Sequence, residues 1–193
     1  MRTILQTKAD FKLDPNVVRW FAAYTRPRHE KKVLELLNNK EIEAYVPLVK
    51  EMHQWSDRKK LVEEPLIRSY VFVHIPPKHQ LYVRETEGIV HFVTFHKELA
   101  AIPDFQIEAL KRTIESGIKL QPQTYLKTGQ MVEVNDGPLR GIIGHIQRIE
   151  NESKFVISLD AVQVAYEIQI DPRQLKPIAE DKKKVHVSLP LGF

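Results

Sequence analysis

The sequence predicts an α+β first half, an antiparallel sheet flanked by helices, followed by a small all-β barrel. Three observations predict this. Up to Glu115, short apolar runs rich in aromatic and β-branched residues alternate with stretches of helical spacing. From Gly129 onward, apolar residues recur at alternate positions and no helical stripe occurs. Between them, residues 116–128 follow neither period and hold one glycine, one proline and two glutamines, so they read as a linker.

Residues 1–18 read as an N-terminal arm and 19–115 as the first domain. Arg19 to Thr25 carries Trp20, Phe21 and Tyr24 and reads as a strand. Pro27 suits a first helical turn, where a missing N–H costs nothing. Glu30 follows where the helix dipole favours an acid, and Val33, Leu36 and Leu37 supply an apolar stripe at helical spacing. Asn38-Asn39 stops that helix. Residues 44–55 look extended, Ser56-Asp57 supplies a turn, and Lys59 to Glu64 returns. The product is a protruding polar hairpin carrying Arg58, Lys59 and Lys60. Tyr70 to Ile75 is the clearest strand, ended by Pro76-Pro77. A short helix from Lys78 to Gly88 and a strand from Ile89 to Phe95 follow. Pro103 opens a helix with Ile107, Leu110 and Ile114 on one face, closed by Gly117.

In the second half, residues 129–178, Val132 and Val134 share a face, as do Phe155, Ile157 and Leu159. Val162, Val164, Tyr166, Ile168 and Ile170 form another alternating run. Asn135-Asp136-Gly137-Pro138 and Asn151-Glu152-Ser153 are turns. Short strands of this kind predict a closed or nearly closed barrel. The β-branched residues, with Gly137, Pro138, Gly141 and Gly144, oppose refolding of this half as helices. Residues 179–193 read as a tail.

Composition narrows the function. The 193 residues are 42% hydrophobic, enough for a packed core, and carry a formal charge of +4. The chain has no cysteine, which excludes disulfides, thiolate metal sites and a cysteine nucleophile. No run of about 18 apolar residues could cross a membrane, and the N-terminus lacks a signal-peptide pattern, so a cytoplasmic location is expected. No phosphate-cradling glycine loop and no HExxH occur. His74 with His79, and His91 with His96, are five apart and share no helix face. No catalytic residue, cofactor or metal site is therefore expected.

Four segments, in order, resemble one family. Trp20-Phe21-x-x-Tyr24-Thr25 followed by Glu30-x-x-Val33 resembles the first strand and helix of the NusG N-terminal (NGN) domain. Pro65-Leu66-Ile67-Arg68-Ser69-Tyr70-Val71-Phe72-Val73 resembles its "PLFPGYVFV" strand, with Ile67-Arg68 in place of Phe-Pro. Val83 to Val93 resembles the helix-turn-strand that follows. Gly129-x-x-Val132-x-Val134-x-x-Gly137-Pro138-Leu139-x-Gly141 resembles a KOW motif, with Leu139 where Phe is usual. Ala44-Tyr45-Val46-Pro47-Leu48 and Trp55-Ser56-Asp57-Arg58-Lys59-Lys60 are similar to the specialised UpxY-type antiterminators.

The resemblance implies an NGN domain, an SH3-like KOW barrel and a non-enzymatic transcription elongation and antitermination factor, acting as a monomer. Strand geometry puts Tyr70 and Phe72 on one face and Val71 and Val73 on the other. Tyr24 and Phe92 are candidates to join the aromatic face. These rings are either core or a partner patch. The resemblance implies the patch, gripping the clamp helices of the largest subunit of bacterial RNA polymerase. Arg26, Arg28, Lys31 and Lys32 are placed at the start of the first helix. They are either a solvated face or, as the resemblance implies, a contact to the non-template DNA strand through counterion release. Gly137, Pro138, Leu139 and Gly141 shape the KOW turn. The barrel is expected to recruit a ribosomal protein or a termination factor. A ribosome-associated RNA-binding module is the rival reading.

Overall fold

The computed structural model describes residues 13–54, 59–123, 125, 129–149 and 152–178. Most of the arm, Arg58 and the 179–193 tail lie outside them.

The first half is built on strand β1 (Arg19–Thr25). It pairs antiparallel with β5 (Tyr70–Ile75) on one side, and with β6 (Ile89–Phe92) and β9 (Ala101–Ile102) on the other. The two-residue β2 (Ala44–Tyr45) extends the sheet beyond β5. Helix α1 (Glu30–Asn39) buries Val33 and Leu37 against one sheet face, and α2 (Gln80–Arg84) adds Val83. This face presents Phe21, Ala23, Val71 and Val73. Strands β3 (Leu48–Gln54) and β4 (Lys59–Pro65) form the expected protruding hairpin. A small pair, β7 (Thr94–Phe95) and β8 (Glu98–Leu99), precedes helix α3 (Asp104–Glu115), which Gly117 closes at φ 72°.

The second half is entirely strands and short 3₁₀ turns among the described residues. These are β10 (Gln121–Gln123), β11 (Gln130–Val134), β12 (Ile143–Ile149), β13 (Glu152–Leu159), β14 (Val164–Ile168) and β15 (Leu175–Pro177). Strand β10 arises from the stretch read as linker and pairs with β14.

The expected closed barrel does not form. The strands make an open six-stranded antiparallel sheet in the order β10-β14-β13-β12-β11-β15, whose end strands do not pair with each other among the described residues. Two physical causes account for this. The end strands are three residues each, too short to supply a closing ladder. The apolar face also has another cover. Val132, Val134, Phe155, Ile157 and Ile168 pack with Ala109 of α3 and with Ile118 and Leu120 just beyond it. A sheet closes on itself to hide an apolar face from water; here a helix from the first half does part of that.

The halves consequently share a core. One buried cluster contains Trp20, Ala22, Phe72, Ile107 and Leu110 from the first half and Leu159 and Tyr166 from the second.

Candidate functional site

Strand register decides which rings meet. Trp20 pairs with His74, Ala22 with Phe72, and Tyr24 with Tyr70. Tyr45 of β2 pairs with Phe72. Cross-strand partners share a face, so Trp20, Tyr24, Tyr45, Tyr70 and Phe72 line one side of the sheet. Phe92 does not join them. It pairs with Ala23 and lies in the opposite core with Phe21 and Val33.

The aromatic face is graded in exposure. Phe72 is 0% exposed, beneath α3 and the Leu159–Tyr166 edge of the second half. Trp20 is also buried, with His74 stacked at 4.7 Å and the Lys111 ammonium 4.6 Å from its ring centre. Burial, and secondly the Glu115 carboxylate, hold the Tyr45 phenol neutral by raising its pKa. At the other end, Tyr24 and Tyr70 are half-buried, and their rings meet edge-on at 5.4 Å. Exposed His91 stacks on Tyr24 at 5.1 Å. Burial, then Tyr24, raises the Tyr70 pKa. Tyr24, Tyr70 and His91 thus form one cluster of packed rings with its His91 end open to solvent.

The basic cluster is split. Helix α1 begins at Glu30, so Arg26 and Arg28 lie in the preceding loop and not on the helix. Arg28 sits at φ 64°, a left-handed conformation that a helix cannot continue. The Glu30 carboxylate turns inward and accepts the Ser69 N–H at 2.6 Å, tying the loop to the start of β5. Lys31 donates to the Glu63 carbonyl on the hairpin at 2.7 Å, while Lys32 bonds Glu87 at 2.8 Å on another side. The Lys32 hydrogen bond, then its charge, holds the Glu87 carboxyl below its ordinary pKa. Lys31 and Lys32, although adjacent on the helix, are thus held by partners on different elements. Arg26 and Arg28 are exposed and enter no ion pair among the described residues. Arg28 and Lys31 border a cleft of about 500 Å³ whose far wall includes Val62, Pro65 and Arg68 of the hairpin base.

The glycine turn of the second half is structural in its contacts. Gly137 and Gly141 adopt φ 79° and 85°. Their turn is closed by the Gly141 N–H donating to the Val134 carbonyl at 2.7 Å, and it drives Leu139 into the core. The Pro138 carbonyl faces the Arg112 guanidinium of α3 at 3.4 Å.

Gln106 and Asp160, which join the halves, carry no signal in the sequence. Alternation places Leu159 and Tyr166 on strand faces, but no local pattern says that they abut another sheet.

No group of three potential ligands appears at the histidine pairs weighed from sequence; the one found among the described residues is elsewhere, on the hairpin. No helix among the described residues is long and apolar enough to cross a membrane.

Residues 18–111 match the model of a family described as NusG, transcription termination factor nusG. Two similar curated proteins are both transcription termination/antitermination proteins NusG. That of Rickettsia typhi is 22% identical over 83% of this chain and 91% of its own length. That of Escherichia coli O6:H1 is 23% identical over 82% and 95%. A solved structure of Thermotoga maritima NusG, described by its domain interaction, aligns over 84% of this chain and 98% of that one, at 18% identity and a TM-score of 0.42.

Proposed function

We propose that this chain, homologous to the NusG family through residues 18–111, is a transcription elongation and antitermination factor that binds RNA polymerase through its first half. NusG-family proteins are non-catalytic transcription factors, and the chain is a binding protein, not an enzyme.

The observation that carries the polymerase-binding reading is the Tyr24–Tyr70–His91 cluster. It is the outward-facing part of the aromatic face, on the strands that carry the family match. Large rings held by mutual packing lose little entropy on docking and so make effective anchors. The partner is read as a helical segment of the polymerase, the clamp helices. Phe72 supports these rings from below and Phe92 supports the sheet from behind, so neither meets the partner in this arrangement. The second half overlies the Phe72 end of the same face. A partner that needed the whole face would have to displace it.

Arg26 and Arg28 are read as the contact to the exposed non-template strand, with the second half recruiting a ribosomal protein or termination factor. Kinship with the UpxY-type branch belongs to the same proposal. It is supported by the Ala44-Tyr45-Val46-Pro47-Leu48 segment and by the hairpin that follows it.

Run-off transcription on a long template with purified bacterial polymerase tests the reading. Added protein should change the fraction of full-length transcript, and Tyr24→Ala with Tyr70→Ala should abolish the change. An unaltered transcript pattern at saturating protein would overturn it.

A further inference from the structure

The hairpin carries a donor set that neither the family match nor the sequence motifs assign. Glu51 and His53 stand two apart on β3 and so project from the same face. Glu64 of β4 is the cross-strand partner of Val49, which puts it on that face too. The His53 Nε2 lies 3.3 Å from the Glu64 Oε1 and 3.9 Å from the Glu51 Oε2. One ligand atom from each of the three residues lies within 4.8 Å of the others.

We propose that Glu51, His53 and Glu64 form a zinc site that staples the two strands of the hairpin. The distances support it. Tetrahedral zinc with N and O ligands at about 2.0–2.1 Å separates its donors by about 3.4 Å. The His53–Glu64 separation already matches, and the Glu51 carboxylate, the most exposed of the three, closes the set by a side-chain rotation of about an ångström at its tip.

Ligand chemistry selects the ion. An imidazole nitrogen with two carboxylates is a borderline set, suited to zinc; calcium and magnesium prefer oxygen alone. Three protein ligands leave a fourth position for water, as in open zinc sites. An orienting group is also present. Arg68 holds the other Glu64 oxygen, Oε2, at 3.4 Å, which leaves Oε1 turned toward His53.

The hairpin also has something to gain. It pairs with no other strand among the described residues, and an isolated two-stranded ribbon is marginally stable in water. An ion bound only by the folded hairpin adds its binding free energy to hairpin stability. The site departs from the sequence reading, which weighed histidine pairs along the chain. Here the ligands come together only through strand pairing.

Isothermal titration of the full-length protein with zinc chloride tests the proposal, alongside a hydrogen-exchange measurement on the hairpin amides. The expected result is one zinc ion per chain with micromolar affinity. His53→Ala and Glu64→Gln should each weaken binding by at least about ten-fold. His79→Ala, a histidine outside the hairpin, should not change it. Zinc should slow exchange of the β3 and β4 amides in the wild type and not in His53→Ala. Failure of zinc to bind more tightly than about 0.1 mM would overturn the proposal. So would a His53→Ala isotherm superimposable on that of the wild type.

Discussion

Gln106 of α3 and Asp160, the residue after β13, hold each other at both ends. The Gln106 amide donates to the Asp160 Oδ2 at 3.0 Å, and the Asp160 backbone N–H donates to the Gln106 Oε1 at 3.2 Å. Tyr125 adds its hydroxyl to the other Asp160 oxygen at 3.1 Å. Gln106 is 2% exposed, so water does not compete for the amide. One glutamine thus joins the helix of the first half to the sheet of the second.

Replacing Gln106 with Ala should leave the Asp160 N–H and one carboxylate oxygen without partners in a partly buried setting. The expected cost is about 1–3 kcal/mol. Urea unfolding followed by fluorescence measures it. Hydrogen exchange should show the Asp160–Ile168 amides losing protection before those of β1 and β5. An unchanged midpoint and exchange pattern would show that the clip does not hold the halves together.

The two aromatic residues of β5 should separate in their effects. Phe72 fills the shared core, so Phe72→Ala should cost about 3–5 kcal/mol of stability. Tyr70 is half-exposed beside Tyr24, so Tyr70→Ala should keep the fold and weaken polymerase binding by about 1–3 kcal/mol. Thermal unfolding and a polymerase binding titration on the same two variants check this. A Tyr70→Ala protein that unfolds like Phe72→Ala would make Tyr70 part of the core.

Elements with a local period were legible in the sequence. The 20–24 and 70–75 strands are short apolar runs rich in aromatic and β-branched residues, and the Ile107–Leu110–Ile114 stripe is helical whatever surrounds it. Non-local relations were not. Phe92 sits behind the sheet because β6 pairs Phe92 with Ala23, a register no single strand reveals. Arg28 was read into the helix because Pro27 suits a first turn, yet the chain turns left-handed at Arg28 before the helix starts. The second sheet stays open because α3, some 20 residues earlier in sequence, reaches its apolar face. Alternation in β11 to β14 identifies that face without saying what covers it.

Gly144 marks a close approach within that second sheet. A methyl group there would lie 2.6 Å from the Phe155 ring and 2.8 Å from the Val156 carbonyl oxygen. The carbonyl belongs to the paired backbone and cannot step aside cheaply. Gly144→Ala should therefore destabilise the protein by about 1–3 kcal/mol through overpacking. Gly137→Ala meets only the Gln174 side chain at 3.6 Å and should pay for its positive φ alone, about 1 kcal/mol. Chemical denaturation of both variants gives the comparison, and a Gly144→Ala variant of wild-type stability would refute the close packing.

Alkaline pH should loosen the contact between the halves. Burial holds the Tyr166 phenol neutral and raises its pKa from 10.0 to about 12. Tyr125 is likewise raised to about 12, by burial first and the Asp160 charge second. The folded state therefore keeps protons that the unfolded chain releases. This contribution to stability is complete below pH 10.0 and is lost as pH rises toward about 12. Melting temperatures across that window should fall, and the Tyr125→Phe, Tyr166→Phe double variant should fall less steeply. Parallel curves would remove these phenols as the cause.

The split of the basic cluster makes its members unequal toward nucleic acid. Arg26 and Arg28 are exposed on the loop before α1 and make no close ion pair among the described residues, although the Arg26 charge also acts on Glu87 from a distance. Lys32 is already neutralised in part by Glu87 at 2.8 Å, so a phosphate approaching it must first displace that carboxylate. Counterion release scales with the phosphates newly neutralised, so the two arginines should carry most of the salt dependence of single-strand binding. Replacing Arg26 and Arg28 with Gln should reduce the slope of log affinity against log salt by about 1.4, since each single-strand phosphate contact contributes about 0.7. Lys32→Gln should change that slope by less than one such contact. Titrations of fluorescent single-stranded DNA at several salt concentrations, with the elongation complex held constant, read this directly. Equal slopes for the wild type and the arginine double variant would show that the loop is a solvated surface, and a larger effect from Lys32 would place the strand on the opposite side of α1.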